Sequence, residues 1–151
     1  MPEATGGKIA LAVPYRKATI RPYQAEDESL LFTFARGAFG DRTTWNDRRT
    51  ITALETDTVF VAELGGALAG YVALEPSGES IRIEQLLVSP DHEGEGVGKQ
   101  LLEYAEGYAI SEGAQRLEVV VEEDNRRARA FYQGRGFVTS AGDLLGLVLP
   151  Q

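Results

Sequence analysis

The chain has 151 residues, a formal net charge of −8, one histidine and no cysteine. This length fits one domain with a hydrophobic core of its own. Without cysteine the chain has no disulfides and no thiolate nucleophile, and a single histidine excludes a multi-histidine metal centre, so we predict no metal site. The negative charge argues against nucleic acid as the main partner and favours a cationic small substrate.

No apolar run approaches the roughly 20 residues that a membrane-spanning helix needs, so no membrane association is expected. The N-terminal sequence lacks the pattern of a signal peptide, and we therefore expect a cytoplasmic location. Residues 1–18 contain two adjacent glycines and little periodicity. They are expected to form a flexible leader or an extra N-terminal arm, with the folded domain covering residues 19–151.

Hydrophobic spacing and turn residues predict the elements of the first half of the chain. These are a strand at Thr19–Tyr23, a helix from Asp27 to Gly40, a short helix or lid-like loop at Trp45–Leu54, and strands at Val59–Ala62, Ala67–Leu74 and Ile81–Val88. The pair Gly65-Gly66 predicts a hairpin with a primed turn, and Pro76-Ser77-Gly78 predicts a second turn. The last three strands would form a meander.

The strand at Ile81–Val88 changes phase within its length. Its apolar residues occupy odd positions at Ile81 and Ile83, and then even positions at Leu86 and Val88. A β-bulge around Glu84 and Gln85 would produce this slip, because one extra residue exchanges the two faces. The alternative is a strand buried on both faces beyond Gln85, since Leu87 is apolar too.

The second half of the chain is predicted to alternate helices and strands. The elements are a helix from Val97 to about Gly113, a strand at Leu117–Val121 with the composition of a strand buried on both faces, a helix at Arg126–Gln133, and strands at Phe137–Thr139 and Leu144–Leu149. The fold class is therefore an α/β sandwich, with a mixed, mostly antiparallel sheet of about seven strands and four helices.

A glycine-rich turn links the bulged strand to the following helix. Gly94, Gly96 and Gly98 alternate strictly, whereas a P-loop and a dinucleotide-binding fingerprint both need other spacings. Strand, glycine turn and helix N-terminus together still present backbone N–H groups and a helix dipole to an anion.

Two motifs of the sequence, one after the other, resemble those of the GNAT superfamily of N-acetyltransferases. The first combines a bulged strand, a V-x-P loop at Val88-Ser89-Pro90 and a glycine turn at Glu93–Gly98 that is similar to [Q/R]-x-x-G-x-[G/A]. The second is N-x-x-A-x-x-F-Y followed by G-F, beginning at Asn125 and ending at Phe137. The resemblance implies the GNAT fold over the domain and acetyl-CoA as cosubstrate.

The resemblance also implies roles for individual residues. Acetyl-CoA would be bound by the end of the strand, the glycine turn and the second motif, through Leu86, Leu87, Val88, Glu93, Gly94, Glu95, Gly96, Val97, Gly98, Lys99 and Asn125. Glu84 would act as general base and Tyr132 as the acid that protonates the departing thiolate. Taken alone, Glu84 could be an exposed strand carboxylate and Tyr132 a core aromatic residue.

Several side chains near these motifs have two possible roles. Phe39 and Trp45 would line an acceptor pocket or only pack. Lys99 and the arginines of the last helix, Arg126, Arg127 and Arg129, would contact the 3′-phosphate of CoA, or the arginines would form a solvated face. His92 is expected to be solvated. Glu93 stands where the family prefers Arg or Gln, and Glu95 adds a second carboxylate beside the anion site.

The sequence therefore predicts an acetyl-CoA-dependent N-acetyltransferase that acts on a small-molecule or peptide amine, with a homodimer as a possible assembly. The two carboxylates of the glycine turn keep open an alternative, a GNAT-fold CoA-binding or regulatory protein with little transfer. A nucleotide-binding module unrelated to acyl transfer is a third reading.

Overall fold

The computed structural model describes residues 15–39 and 53–151, in which one seven-stranded sheet lies between helices. The strands are β1 (Thr19–Pro22), β2 (Thr58–Leu64), β3 (Ala67–Ser77), β4 (Ser80–Val88), β5 (Arg116–Val120), β6 (Val138–Ala141) and β7 (Leu144–Val148). The helices are α1 (Glu28–Phe39), α2 (of which residues 53–56 are described), α3 (Val97–Ser111) and α4 (Arg126–Gly134). Short 3₁₀ turns at Ala25–Asp27 and Pro90–His92 precede α1 and the glycine turn.

The sheet is mixed, with strand order β1-β2-β3-β4-β5-β7-β6. Every neighbouring pair is antiparallel except β4 and β5, which are parallel because the connection through α3 returns the chain to the same edge. The predicted fold class is therefore confirmed. The Gly65-Gly66 turn is confirmed as well, since both glycines have positive φ, as a type I′ turn requires.

Two hydrophobic clusters cover the two faces of the sheet. The main core includes Leu101 and Ala105 of α3, Tyr132 of α4 and the inward residues of the central strands. The second core is smaller and packs Leu31 of α1 and Leu54 of α2 against the opposite face of β2 and β3. The molecule is thus a three-layer α/β sandwich.

The β-bulge predicted in β4 is confirmed. Ala73 of β3 pairs with Gln85, but the next residue, Leu74, pairs with Ile83, so Glu84 is the extra residue of β4. Because of this insertion, Ile81 and Ile83 before the bulge and Leu86 and Val88 after it all contact the main core. Leu87 packs against the second core, so the end of the strand has apolar contacts on both faces.

Two local predictions are wrong. Pro76 and Ser77 belong to β3 rather than to a turn, and the chain reverses at Gly78, whose φ is 62°. Pro76 fits there because β2 pairs with β3 only as far as Leu74, so no ladder to β2 needs its missing N–H.

The other wrong prediction concerns β5. This central strand is buried on one face only, and Val120 is 55% exposed, because α3 and α4 cover only the face of Leu117 and Val119. Its other face carries Glu118, which pairs with Arg82 of β4 at 3.3 Å.

Some predictions lie outside the described residues. These are residues 1–14 of the predicted leader and residues 45–52 of the predicted second helix or lid-like loop, including Trp45. Among the residues that the structure describes, no helix combines the length and apolarity needed to cross a bilayer.

Candidate functional site

The sheet opens between β4 and β5 immediately after the bulge. Over the described residues, the two strands pair only through Ser80–Ile83 and Arg116–Val119. Beyond that point, residues 85–88 of β4 pair with β3, and β5 continues beside β7. The edge of β4 that faces the opening can therefore accept an extended ligand as an added strand.

The glycine turn closes one end of this opening. Gly94 and Gly96 have φ of 79° and 87°, a left-handed conformation that favours glycine, and Gly96 is the N-cap of α3. Gly98 lies in the first turn of α3, where a side chain would contact Val88 and Phe131. The first N–H groups of a helix have no acceptor within the helix, so this turn offers donors to an anion.

Each of the two carboxylates of the turn lies within 4 Å of an arginine side chain. Glu95 Oε1 lies 3.2 Å from His92 Nδ1 and 3.6 Å from Arg16 Nη1. Glu93 Oε1 lies 3.9 Å from Arg127 Nη2 of α4, in an ion pair that solvent screens strongly because Arg127 is 86% exposed. The negative charge that the sequence places beside the anion site is therefore partly balanced.

Glu84, the bulged residue, belongs to a cluster of three carboxylates. Its oxygen and those of Asp57 and Glu75 lie within 4.8 Å of one another, close enough to hold one cation. Burial and the charge of Glu75 raise the pKa of Asp57 from 3.8 to about 6. The cluster lies on the second-core face of the sheet, because Glu75 alternates along β3 with Tyr71 and Ala73.

Next to Glu84, Gln85 is a buried polar residue with a specific partner. Its side-chain oxygen accepts a hydrogen bond from the hydroxyl of Tyr71, which is also buried. This bond fixes the strand on the second-core side of the bulge.

Tyr132 and Asn125 occupy opposite ends of α4. Tyr132 is 6% exposed, and its ring makes edge contacts with Phe131 and Phe137 at centroid distances of 5.1 and 5.3 Å. Burial raises the pKa of Tyr132 above its ordinary value, so the phenol stays protonated. Asn125 caps the helix, since its Oδ1 accepts a hydrogen bond from the N–H of Ala128 at 3.2 Å.

The structure thus groups most of the predicted site residues around one opening. Leu86, Leu87 and Val88 form its β4 edge, and Glu93–Lys99 form the turn at its end. Among the arginines of α4, Arg129 has a structural contact, since Nη1 donates to the carbonyl oxygen of Val121 at 2.7 Å. Lys99 is exposed, the side chain of Phe39 lies outside the described part of the chain, and so does Trp45.

Sequence reasoning missed Asp57, Glu75, Arg16 and Gln100. The two carboxylates could have been found from strand register, since Leu74 pairs with both Thr58 and Ile83 and brings their neighbours together. Nothing local marks Arg16 and Gln100, which meet across 84 positions of sequence.

A model of the acetyltransferase (GNAT) family matches residues 21–137, which is most of the chain. The chain therefore belongs to the GNAT acetyltransferase family, as the two motifs predicted. Among curated relatives, it is 38% identical over 85 residues to an uncharacterized N-acetyltransferase from Archaeoglobus fulgidus. That match covers 52% of this chain and 58% of the relative, less than two thirds of the relative's length.

Solved structures confirm the fold at low sequence identity. The ribosomal-protein-S18-alanine N-acetyltransferase from Escherichia coli superposes with a TM-score of 0.74 at 18% identity, covering 89% of this chain and 96% of that one. A GNAT family acetyltransferase from Brucella melitensis, solved in complex with acetyl-CoA, gives a TM-score of 0.70 at 19% identity, covering 91% of each chain.

Proposed function

We propose that this protein transfers the acetyl group of acetyl-CoA to a primary amine by direct attack within a ternary complex. The observation that carries the proposal is the opening of the sheet at the bulge, with the glycine turn at one end and the carboxylate of Glu84 at the bulge itself. In this arrangement the pantetheine arm pairs with Leu86 and Val88, and the pyrophosphate is bound by the N–H groups of the glycine turn.

The acceptor amine is protonated at neutral pH and must lose a proton before it attacks. Glu84 takes that proton, through a water molecule, while Asp57 and Glu75 attract the ammonium form into the site. The nitrogen then adds to the thioester carbonyl, and backbone N–H groups stabilise the resulting oxyanion. The oxyanion then collapses to the amide carbonyl, and the C–S bond breaks as the thiolate of CoA leaves.

Tyr132 assists the departure of CoA. Burial keeps its phenol protonated, so the hydroxyl is available to donate a hydrogen bond, and then its proton, to the sulfur as the thiolate leaves. The same raised pKa favours return of a proton to the phenolate, and the nitrogen supplies it by losing its second proton as the amide forms. No residue of the protein forms a covalent intermediate, which suits a chain without cysteine.

The alternative of a CoA-binding or regulatory protein was motivated by Glu93 and Glu95. An arginine lies beside each carboxylate, Arg16 beside Glu95 and Arg127 beside Glu93, so the structure gives that alternative no specific support. A homodimer and a cytoplasmic location remain predictions from the sequence.

The test is thiol release from acetyl-CoA over a panel of amines that includes a polyamine, an aminoglycoside, a lysine peptide and a peptide with an unblocked N-terminus. We expect release with at least one cationic amine. Glu84→Gln should lower kcat by about 100-fold or more, which is typical of losing a general base, and leave acetyl-CoA affinity unchanged. Glu79→Gln, at an exposed residue of the β3–β4 turn, is the matched control.

Two outcomes would contradict the proposal. If no amine of any charge releases thiol above the rate of hydrolysis, the protein is not an acetyltransferase of amines. If release occurs but Glu84→Gln matches Glu79→Gln, the carboxylate at the bulge is not the base.

A further inference from the structure

The segment Tyr15–Ala18, just before β1, is fixed across the glycine turn. The N–H of Arg16 donates to the carbonyl oxygen of Glu95 at 3.1 Å. The ring of Tyr15 lies over Gly96, where a side-chain carbon would come within 2.9 Å of it. Tyr15 and Arg16, near the end of the predicted leader, therefore contact the turn to which we assign the pyrophosphate.

Gln100 of α3 holds this segment in place. Its side chain is buried, with 6% exposure, and accepts a hydrogen bond from the N–H of Ala18 at 2.9 Å. Its Nε2 donates to the carbonyl oxygens of Arg16, at 2.6 Å, and of Gly96, at 3.2 Å. One buried amide thus joins the segment to the first turn of the helix.

These hydrogen bonds of Gln100 hold the guanidinium of Arg16 beside a turn whose own sequence supplies two carboxylates. Arg16 Nη1 lies 3.6 Å from Glu95 Oε1, and the Arg16 side chain is 45% exposed. A guanidinium carries five N–H donors in a planar fork that matches phosphate oxygens, so pairing with one carboxylate oxygen at this distance leaves it able to bind an anion as well. The family motif prefers Arg or Gln at position 93, where this chain has glutamate.

We propose that Arg16, positioned by Gln100, binds the pyrophosphate of acetyl-CoA and so increases the affinity for this cosubstrate. Arg16 belongs to the segment before β1 and not to the glycine turn itself. This inference rests on the proposed function, because it assumes that the pyrophosphate binds at this turn. It adds a cation from the N-terminal segment, and it makes Arg16 part of the cofactor site.

Calorimetric titration with acetyl-CoA and with S-acetylpantetheine, which lacks the pyrophosphate and the 3′-phosphoadenosine, tests the proposal. Acetyl-dephospho-CoA keeps the pyrophosphate and lacks the 3′-phosphate, so Arg16→Gln should weaken it as much as it weakens acetyl-CoA, and a smaller loss would point to the 3′-phosphate instead. Arg16→Gln should weaken acetyl-CoA by about 10-fold, as expected for one charge-assisted contact that is partly exposed, and leave S-acetylpantetheine unchanged. Lys17→Gln is the matched control, since it removes the same charge from the adjacent exposed residue and should change neither affinity. Gln100→Met should reproduce the selective loss, because it releases the segment while filling a similar volume.

A double variant separates direct binding from neutralisation of Glu95. If Arg16 contacts the phosphates, Glu95→Gln will not restore the affinity that Arg16→Gln removes. Full restoration would overturn the direct contact.

The remaining outcomes are also decisive. Equal loss for both ligands, or no loss for either, would overturn the role of Arg16 while leaving the proposed transfer reaction intact. If the unsubstituted protein binds S-acetylpantetheine as tightly as acetyl-CoA, the glycine turn does not bind the pyrophosphate, and that part of the proposed function fails as well.

Discussion

Asp57 combines a buried, unsatisfied oxygen with a raised pKa. Its Oδ2 has no hydrogen-bond partner among the described residues, and Glu75 and Glu84 lie beside it. Because the pKa of Asp57 is about 6 in the folded protein, against 3.8 ordinarily, the folded state binds the proton more tightly than the unfolded state. Its ionisation therefore costs stability, fully above about pH 6 and not at all well below pH 4.

Asp57→Asn should consequently stabilise the protein at pH 7.5, by on the order of 1 kcal/mol after allowance for partial exposure. The gain should shrink as the pH falls from about 6 to 4. Urea unfolding at a series of pH values measures it. An advantage that stays constant with pH would show that Asp57 does not titrate in this range.

Tyr132 has a ring that packs and a hydroxyl that we assign to chemistry. Tyr132→Phe keeps the contacts with Phe131 and Phe137, so the free energy of unfolding should change by no more than about 1 kcal/mol. We expect kcat to fall by about 10-fold or more, with acetyl-CoA affinity unchanged. If affinity falls and kcat does not, the phenol belongs to the binding surface instead.

Among the elements, β3 and β4 lie close together at Gly70. Gly70 pairs with Val88, and a side chain at Gly70 would meet the carbonyl oxygen of Leu87 at 2.5 Å. Such a contact cannot be relieved without moving the backbone of β4 at Leu87 and Val88, whose opposite edge we assign to pantetheine.

Gly70→Ala should therefore weaken acetyl-CoA binding and lower the free energy of unfolding by about 1–3 kcal/mol, the range for overpacking. Gly107→Ala is the control, because a side chain on that residue of α3 meets nothing within 4 Å. The assignment of the β4 edge is contradicted if Gly70→Ala destabilises the fold but leaves the affinity unchanged.

The elements also show which features the sequence could predict. The bulge was predictable because a one-residue insertion exchanges the faces of a strand. The change in hydrophobic phase between Ile83 and Leu86 shows this insertion within the sequence of the strand itself. The burial of β5 was not, because Val120 is apolar but the composition does not reveal that helices cover only one face. The hydrogen bond between Gln100 and Arg16 could not be predicted either, since it depends on the tertiary fold.

At the scale of the whole molecule, the sheet places two groups of candidate site residues on its opposite faces, and the opening between β4 and β5 lies between them. The glycine turn, α3 and Tyr132 lie with the main core, whereas Asp57, Glu75 and the second core lie on the other face. A cofactor that enters from the first side and an amine from the second would meet beside Glu84. The net charge of −8 favours a cationic acceptor and disfavours a polyanion, which is why cations near the turn are needed.

The central claim is that acetyl-CoA binds in this opening, and calorimetric titration of the full chain with acetyl-CoA tests it most directly. We predict saturable binding of one acetyl-CoA per chain with a Kd of about 10 μM or tighter, equivalent to about −7 kcal/mol. Gly70→Ala should weaken that binding, and Gly107→Ala should not. The absence of saturable binding at tens of micromolar would contradict the account.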